Sequence, residues 1–195
     1  MFKRMVTAAV DKDLIKKNPC RGFVLKNDNM TLQKVILLRE EIQQLVATHF
    51  EGEKGDIHQA FIFGLYTGVR WCDTSQLTYR NVDYTTKTLR FQQQKTKDHS
   101  SRSWVIVPLN DTLIRLIGEP SDDDFDERIF KLPHYNICNL YLRKWIKEAG
   151  IKKKITWHCA RHSFAVNVLT KGANIKTVSS LLGHTSIKMT ERMTE

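Results

Sequence analysis

The chain has 195 residues, 41% of them apolar and 27% charged, which excludes a disordered chain and leaves material for a buried core. No apolar run reaches the roughly 18 residues of a membrane span, and the charged start MFKRMVTAAVDKDL does not read as a signal peptide. Thirty-one basic residues against 21 acidic ones leave a net charge of +10, and a polyanionic partner is expected from such an excess.

In chain order, Phe2, Met5, Val6, Ala9, Val10 and Leu14 recur at helical spacing and predict a helix over residues 2–17, closed by Asn18-Pro19. A polar connector without periodicity follows, and the main body starts near residue 34. Residues 39–50 read as a helix with Ile42, Leu45 and Val46 inward. Residues 58–66 are a strongly apolar helix with Gly68 as its C-cap. A short helix is expected over residues 73–77. Residues 88–92 and 103–107 read as two strands joined by a polar, lysine-containing hairpin, with a third short strand at 81–83. Helices are then expected at 111–117, from Pro133 to Glu148, from a Thr156 cap to about Leu169, from an Asn174 cap to Gly183, and at 186–193. The fold class is therefore mainly α with a small antiparallel β-sheet (α+β).

The charge is blocked. Residues 1–27 carry seven basic and two acidic residues, residues 143–161 seven and one, and residues 119–128 six acids against one Arg. Blocks of this kind suggest a basic face and an acidic loop turned away from it. Cysteines 20, 72, 138 and 159 share no CxxC spacing, so they read as reduced thiols and not as a disulfide or zinc framework.

Three segments carry chemistry. In Thr156-Trp157-His158-Cys159-Ala160-Arg161-His162, Arg161 falls on the apolar stripe of Trp157, Phe164 and Val168. A guanidinium on a buried face needs an anion, and no carboxylate occurs between Gly150 and Thr190. A bound phosphate would satisfy it; so would a distant Asp. His158 and His162 have zinc spacing, but the Glu of a metalloprotease helix is missing, and no metal is expected. In Thr67-Gly68-Val69-Arg70-Trp71-Cys72-Asp73 a Gly-terminated helix delivers Arg70 to a turn, where the bland reading is an Arg70–Asp73 pair. In Leu181-Leu182-Gly183-His184 the glycine presents His184 between two helices.

Together, and in this order, these boxes resemble the catalytic domain of the tyrosine recombinases, the phage-integrase family. The family's turn Arg matches Arg70, its H-x-x-R pair matches His158 and Arg161, and its LGH histidine matches His184, 23 residues beyond Arg161. The hairpin lysine is assigned to Lys95, with Lys97 second. The resemblance implies cleavage and rejoining of duplex DNA through a 3′-phosphotyrosyl intermediate, with no cofactor. Arg70 and Arg161 would hold the non-bridging oxygens, Lys95 would be the general acid, His158 and His184 would hydrogen-bond or move protons nearby, and Asp73 would orient a cation from behind. Lys97, Arg102, Lys152, Lys153 and Lys154 are expected to contact DNA. The resemblance also implies that residues 1–22 are the last helix of a preceding core-binding domain, 23–37 a linker and 38–195 the catalytic domain, in a fragment of a longer integrase. It implies a cytoplasmic protein acting as a tetramer on DNA, with this chain a monomer when free.

One position departs from the pattern. The nucleophilic Tyr is expected nine residues after His184, and Met193 stands there. A thioether has no proton to lose, so the chain as written is expected to be inactive in cleavage. The alternative is a DNA-binding protein without catalysis, using the two helices around Gly183 in the manner of a helix-turn-helix.

Overall fold

The computed structural model describes residues 2–19, 21–22, 34–50, 55–94, 104–184 and 186–194. The chain divides into two compact units, Met1–Leu32 and Gln33–Glu195. In the first, α1 (Phe2–Asp11) is shorter than its periodicity suggests. Asp13 adopts a left-handed φ of 55°, and the Leu14 N–H bonds back to Ala9 O at 2.9 Å. Asp tolerates that conformation, so the helix is closed by a local backbone turn before Asn18-Pro19 is reached.

The second unit holds α2 (Arg39–Ala47), α3 (Ile57–Thr67), α4 (Trp71–Thr74), β1 (Val82–Asp83), β2 (Thr88–Gln92), β3 (Trp104–Pro108), α5 (Asp111–Ile117), α6 (Tyr135–Glu148), α7 (Trp157–Thr170), α8 (Ile175–Leu181) and α9 (Ile187–Thr194). Most expected elements are present within a residue or two. Val46, expected inward on α2, is exposed, while Ile42 and Leu45 are buried. Helix α6 begins two residues after Pro133, with His134 at its N-cap position. Thr156 holds the N-cap position of α7 in a capping box with Cys159: its N–H donates to Cys159 Sγ at 3.3 Å and its hydroxyl lies 3.4 Å from the same sulfur.

Helix α3 is apolar on nearly every side because it is surrounded. Ile57, Ala60, Phe61 and Phe63 are fully buried. Phe61 meets the edges of Trp145 and Trp157 at 6.3 and 5.5 Å between ring centroids. Those rings bring α6 and α7 against α3, each burial worth about 1.5–3 kcal/mol. The sheet has the order β1-β2-β3, all antiparallel. Leu89 pairs with Val107 and Phe91 with Val105; all four are buried, so the inner face joins the core. On the outer face the Arg90 guanidinium lies 4.9 Å from the centre of the Trp104 ring.

A second, smaller core of Phe164, Ala165, Val178, Leu182 and Met193 joins α7, α8 and α9. Two glycines allow the tight approach between the cores. Gly68 caps α3 at φ 70°, and a methyl group there would lie 2.6 Å from the Phe164 ring. Gly183 ends α8 at φ 61°, and a methyl there would collide with Val105. Cys138 and Cys159 are buried free thiols, and Cys72 is partly buried.

Candidate functional site

The left-handed turn at Gly68 lets the chain restart a helix at once, so α4 begins at Trp71 and not near Asp73 as the sequence suggests. Arg70 takes its N-cap position in extended conformation. The Arg70 carbonyl accepts the Asp73 and Thr74 N–H groups at 3.0 and 2.8 Å. The Arg70 side chain is 14% exposed, and its Nη1 lies 3.9 Å from Asp73 Oδ2. That is contact, not a close bidentate pair. Asp73 is 2% exposed. Its Oδ1 accepts the Gln94 N–H at 2.8 Å, while Arg70 Nη1 and Asp73 Oδ2 are both buried without a hydrogen-bond partner. Burial raises the Asp73 carboxyl above the usual range, against the pull of the Gln94 N–H and the charges of Arg70 and Arg161.

Arg161 is 3% exposed, as its place on the apolar stripe of α7 requires. Among the described residues no carboxylate hydrogen-bonds to it. Nη1 donates to Gly68 O at 2.7 Å and Nη2 to Leu182 O at 2.6 Å. One guanidinium thus ties the turn before Arg70 to the turn before His184. Burial, then repulsion from Arg70, pulls its pKa down to about 9, with Asp73 opposing. It is still cationic at neutral pH.

His184 is placed by α8. Its N–H bonds to Ser179 O at 2.9 Å and the Gly183 N–H to Ser180 O at 2.8 Å, the paired closure that a left-handed glycine allows. Nδ1 of the ring lies 2.8 Å from Thr190 Oγ1. Burial, then Arg161 and Arg70, lowers its pKa to about 4. His162 is also lowered to about 4, by burial and then by His158 and Lys34. The rings of His158 and His162 stand edge to face, 4.5 Å apart. At neutral pH, His162 and His184 are uncharged, and two guanidiniums face one buried carboxylate. That arrangement suits an anion. Among the described residues no group of three or more His, Cys, Asp or Glu side chains could hold a metal.

Sequence reasoning placed Arg70, Asp73, His158, Arg161 and His184, and the structure brings them within electrostatic reach of one another. It missed Gln93, which is 2% exposed and donates from Nε2 to Leu182 O at 2.9 Å. Gln93 and Gln94 thereby fasten the end of β2 to the turn before His184 and to α4. Nothing in the run Gln92-Gln93-Gln94 distinguishes them, because the partners lie 89 and 21 positions away. Thr190, fully buried, was missed too, although it shares a face of α9 with Met193 at i, i+3.

Met193 is 7% exposed and packs in the second core. Lys95, Lys97 and Arg102 lie outside the described residues. Lys152 and Lys154 are exposed. Lys153 is engaged: its Nζ donates to Ile36 O at 3.0 Å and Glu41 Oε2 at 2.7 Å, so it clamps α2 to the segment before α7.

Residues 36–195 match the phage integrase family, and the chain belongs to it. A tyrosine recombinase of Thermosipho africanus is 29% identical over 162 residues, which are 79% of this chain and 54% of that protein. The catalytic domain of bacteriophage HP1 integrase is 26% identical with a TM-score of 0.62, over 82% of this chain and 86% of that one. The Tn1549 transposon integrase, solved with transposon right end DNA, has a TM-score of 0.73 at 21% identity, over 99% of this chain and 71% of that one. The fold is that of the tyrosine recombinase catalytic domains. The chain spans about half the length of the curated relatives it matches.

Proposed function

We propose that Gln33–Glu195 is the catalytic domain of a site-specific DNA recombinase, and that its site binds the phosphodiester at which a strand is cut and rejoined. The observation that carries this reading is Arg161. Its buried charge is held by two backbone carbonyls beside a second cation, Arg70. Carbonyl dipoles orient a guanidinium without neutralising it, and among the described residues the carboxylate that acts on Arg161, Asp73, is shared with Arg70. The remaining positive charge is matched by a phosphate, whose charge grows towards the pentavalent transition state.

On this reading Arg70 and Arg161 hold the non-bridging oxygens, and His184 and His158 donate hydrogen bonds at their edge. Asp73 orients Arg70 and, through the Gln94 N–H, the start of the hairpin. Lys95 protonates the departing 5′-oxygen. The nucleophile would be a tyrosine at position 193, by way of a 3′-phosphotyrosyl intermediate. The partner is duplex DNA, and assembly on it is as a tetramer. Residues 1–22 belong to a preceding DNA-binding domain, and Lys152 and Lys154 are exposed for backbone phosphates.

Met193 favours a second reading, DNA binding without cleavage. Its side chain is a core residue and offers no hydroxyl. Covalent trapping on a nicked suicide duplex separates the two. The chain as it stands should form no protein–DNA adduct, and Met193→Tyr should form one. If Met193→Tyr binds the duplex and forms no adduct, the catalytic reading is overturned and the binding reading holds.

A further inference from the structure

Two helical threonines spend their hydroxyl on their own helix. Thr67 donates to Phe63 O at 2.7 Å, and Thr170 to Val166 O at 2.9 Å. Thr190 breaks the pattern. It is completely buried on α9, and its Oγ1 lies 2.8 Å from Nδ1 of His184, in the turn that precedes the helix. A buried hydroxyl that leaves its proton unpaired carries a desolvation cost, which favours placing it on an acceptor. Among the described residues the bonded acceptor is that imidazole nitrogen. Were Nδ1 the donor, the threonine proton would have no bonded acceptor among the described residues.

We infer that Thr190 is a positioning residue that fixes the tautomer and direction of His184, so that docking of α9 and completion of the anion site are one event. With Nδ1 accepting, the neutral ring carries its proton on Nε2, which makes Nε2 a donor, as an anion requires. The ring is then held at two points. Its backbone is closed onto α8 by Ser179 and Ser180, and its Nδ1 is held by α9. The same helix carries position 193 three residues on, where Met193 anchors α9 in the core shared with Phe164, Val178 and Leu182. A displaced α9 would therefore cost the site its oriented histidine as well as the group at position 193. The inference rests on the reading that His184 faces the bound phosphate.

The test is made on the intact chain, with 15N-labelled histidine and long-range 1H–15N correlation at pH 7. The wild-type spectrum should show His184 protonated at Nε2, and an Nδ1-protonated ring overturns the inference without any variant. Thr190→Val keeps the shape and removes the hydroxyl; it should move His184 into a tautomer mixture, and Thr190→Ser should restore the wild-type spectrum. Inorganic phosphate binding, followed on the same spectra, should weaken about two- to tenfold in Thr190→Val, the worth of one lost hydrogen bond, and recover in Thr190→Ser. If Thr190→Val leaves both tautomer and phosphate affinity unchanged, Thr190 only packs. His184→Gln separates the underlying reading: unchanged phosphate affinity there removes His184 from the anion site, whatever Thr190 does to its ring.

Discussion

Arg161 concentrates the residue-scale argument, because its charge and its fork do different work. On the proposed reading the charge serves an anion; the fork holds Gly68 O and Leu182 O. Arg161→Lys keeps the charge but loses the planar fork whose two nitrogens reach the two carbonyls separately. Leu182 O keeps the Gln93 donor, so the cost falls on Gly68 O, at about 1–3 kcal/mol for a buried carbonyl that loses its donor, and a urea titration should show a lower midpoint with an unchanged slope. Protonation equilibria give a second expectation. His162 and His184 titrate near 4 in the folded chain against 6.5 when unperturbed. Between those values the unfolded chain binds more protons, so stability is full above pH 6.5 and falls as the pH drops towards 4. Asp73, raised by burial, works in the opposite direction because its protonated form is favoured in the fold. Melting temperatures between pH 7.5 and 4.5 should therefore fall, and the double variant His162→Gln, His184→Gln should flatten the profile. An unchanged profile in that variant would place the acid sensitivity elsewhere.

At the scale of elements, the site is a meeting of ends. The close of α3, the start of α4, the last residues after β2, the middle of α7 and the close of α8 converge. Gly68 and Gly183 permit the approach. Gly183→Ala meets both a left-handed φ and a collision with Val105 and Gln93, whereas Gly172, at φ 87°, has open space where a methyl would go. The conformational penalty common to both is about 1–2 kcal/mol, so Gly183→Ala should lower the melting temperature by clearly more than Gly172→Ala. For a chain of this size each further kcal/mol is about 2–4 °C. Helix periodicity showed α3, α6, α7 and both strands, since their apolar residues recur at the period of the element. It overran α1 and misplaced α4. Both boundaries are set by single left-handed residues, Asp13 and Gly68, that periodicity does not register.

Across the molecule, the net charge of +10 would make the proposed DNA binding an electrolyte effect. If the chain neutralises about four to six phosphates, log affinity should fall against log salt with a slope of about −4 to −5, measurable by fluorescence anisotropy on a labelled duplex. A flat salt response would remove charge as the source of affinity. Motifs and periodicity were enough for the family and the α+β class, and they single out Arg70, His158, Arg161 and His184 as the proposed site, because short motifs dictate local backbone and carry their chemistry with them. The sequence also shows that position 193 lacks a hydroxyl. Only the tertiary structure decided what holds those side chains: that Arg161 is gripped by two carbonyls and not by Asp73, that Gln93 shares one of them, that Lys153 closes on Glu41, and that Thr190 meets His184. The physical reason is range. A motif fixes conformation over a few residues, whereas a buried polar group is satisfied by whichever partner packing brings within about 3 Å, and those partners lie up to 112 positions away.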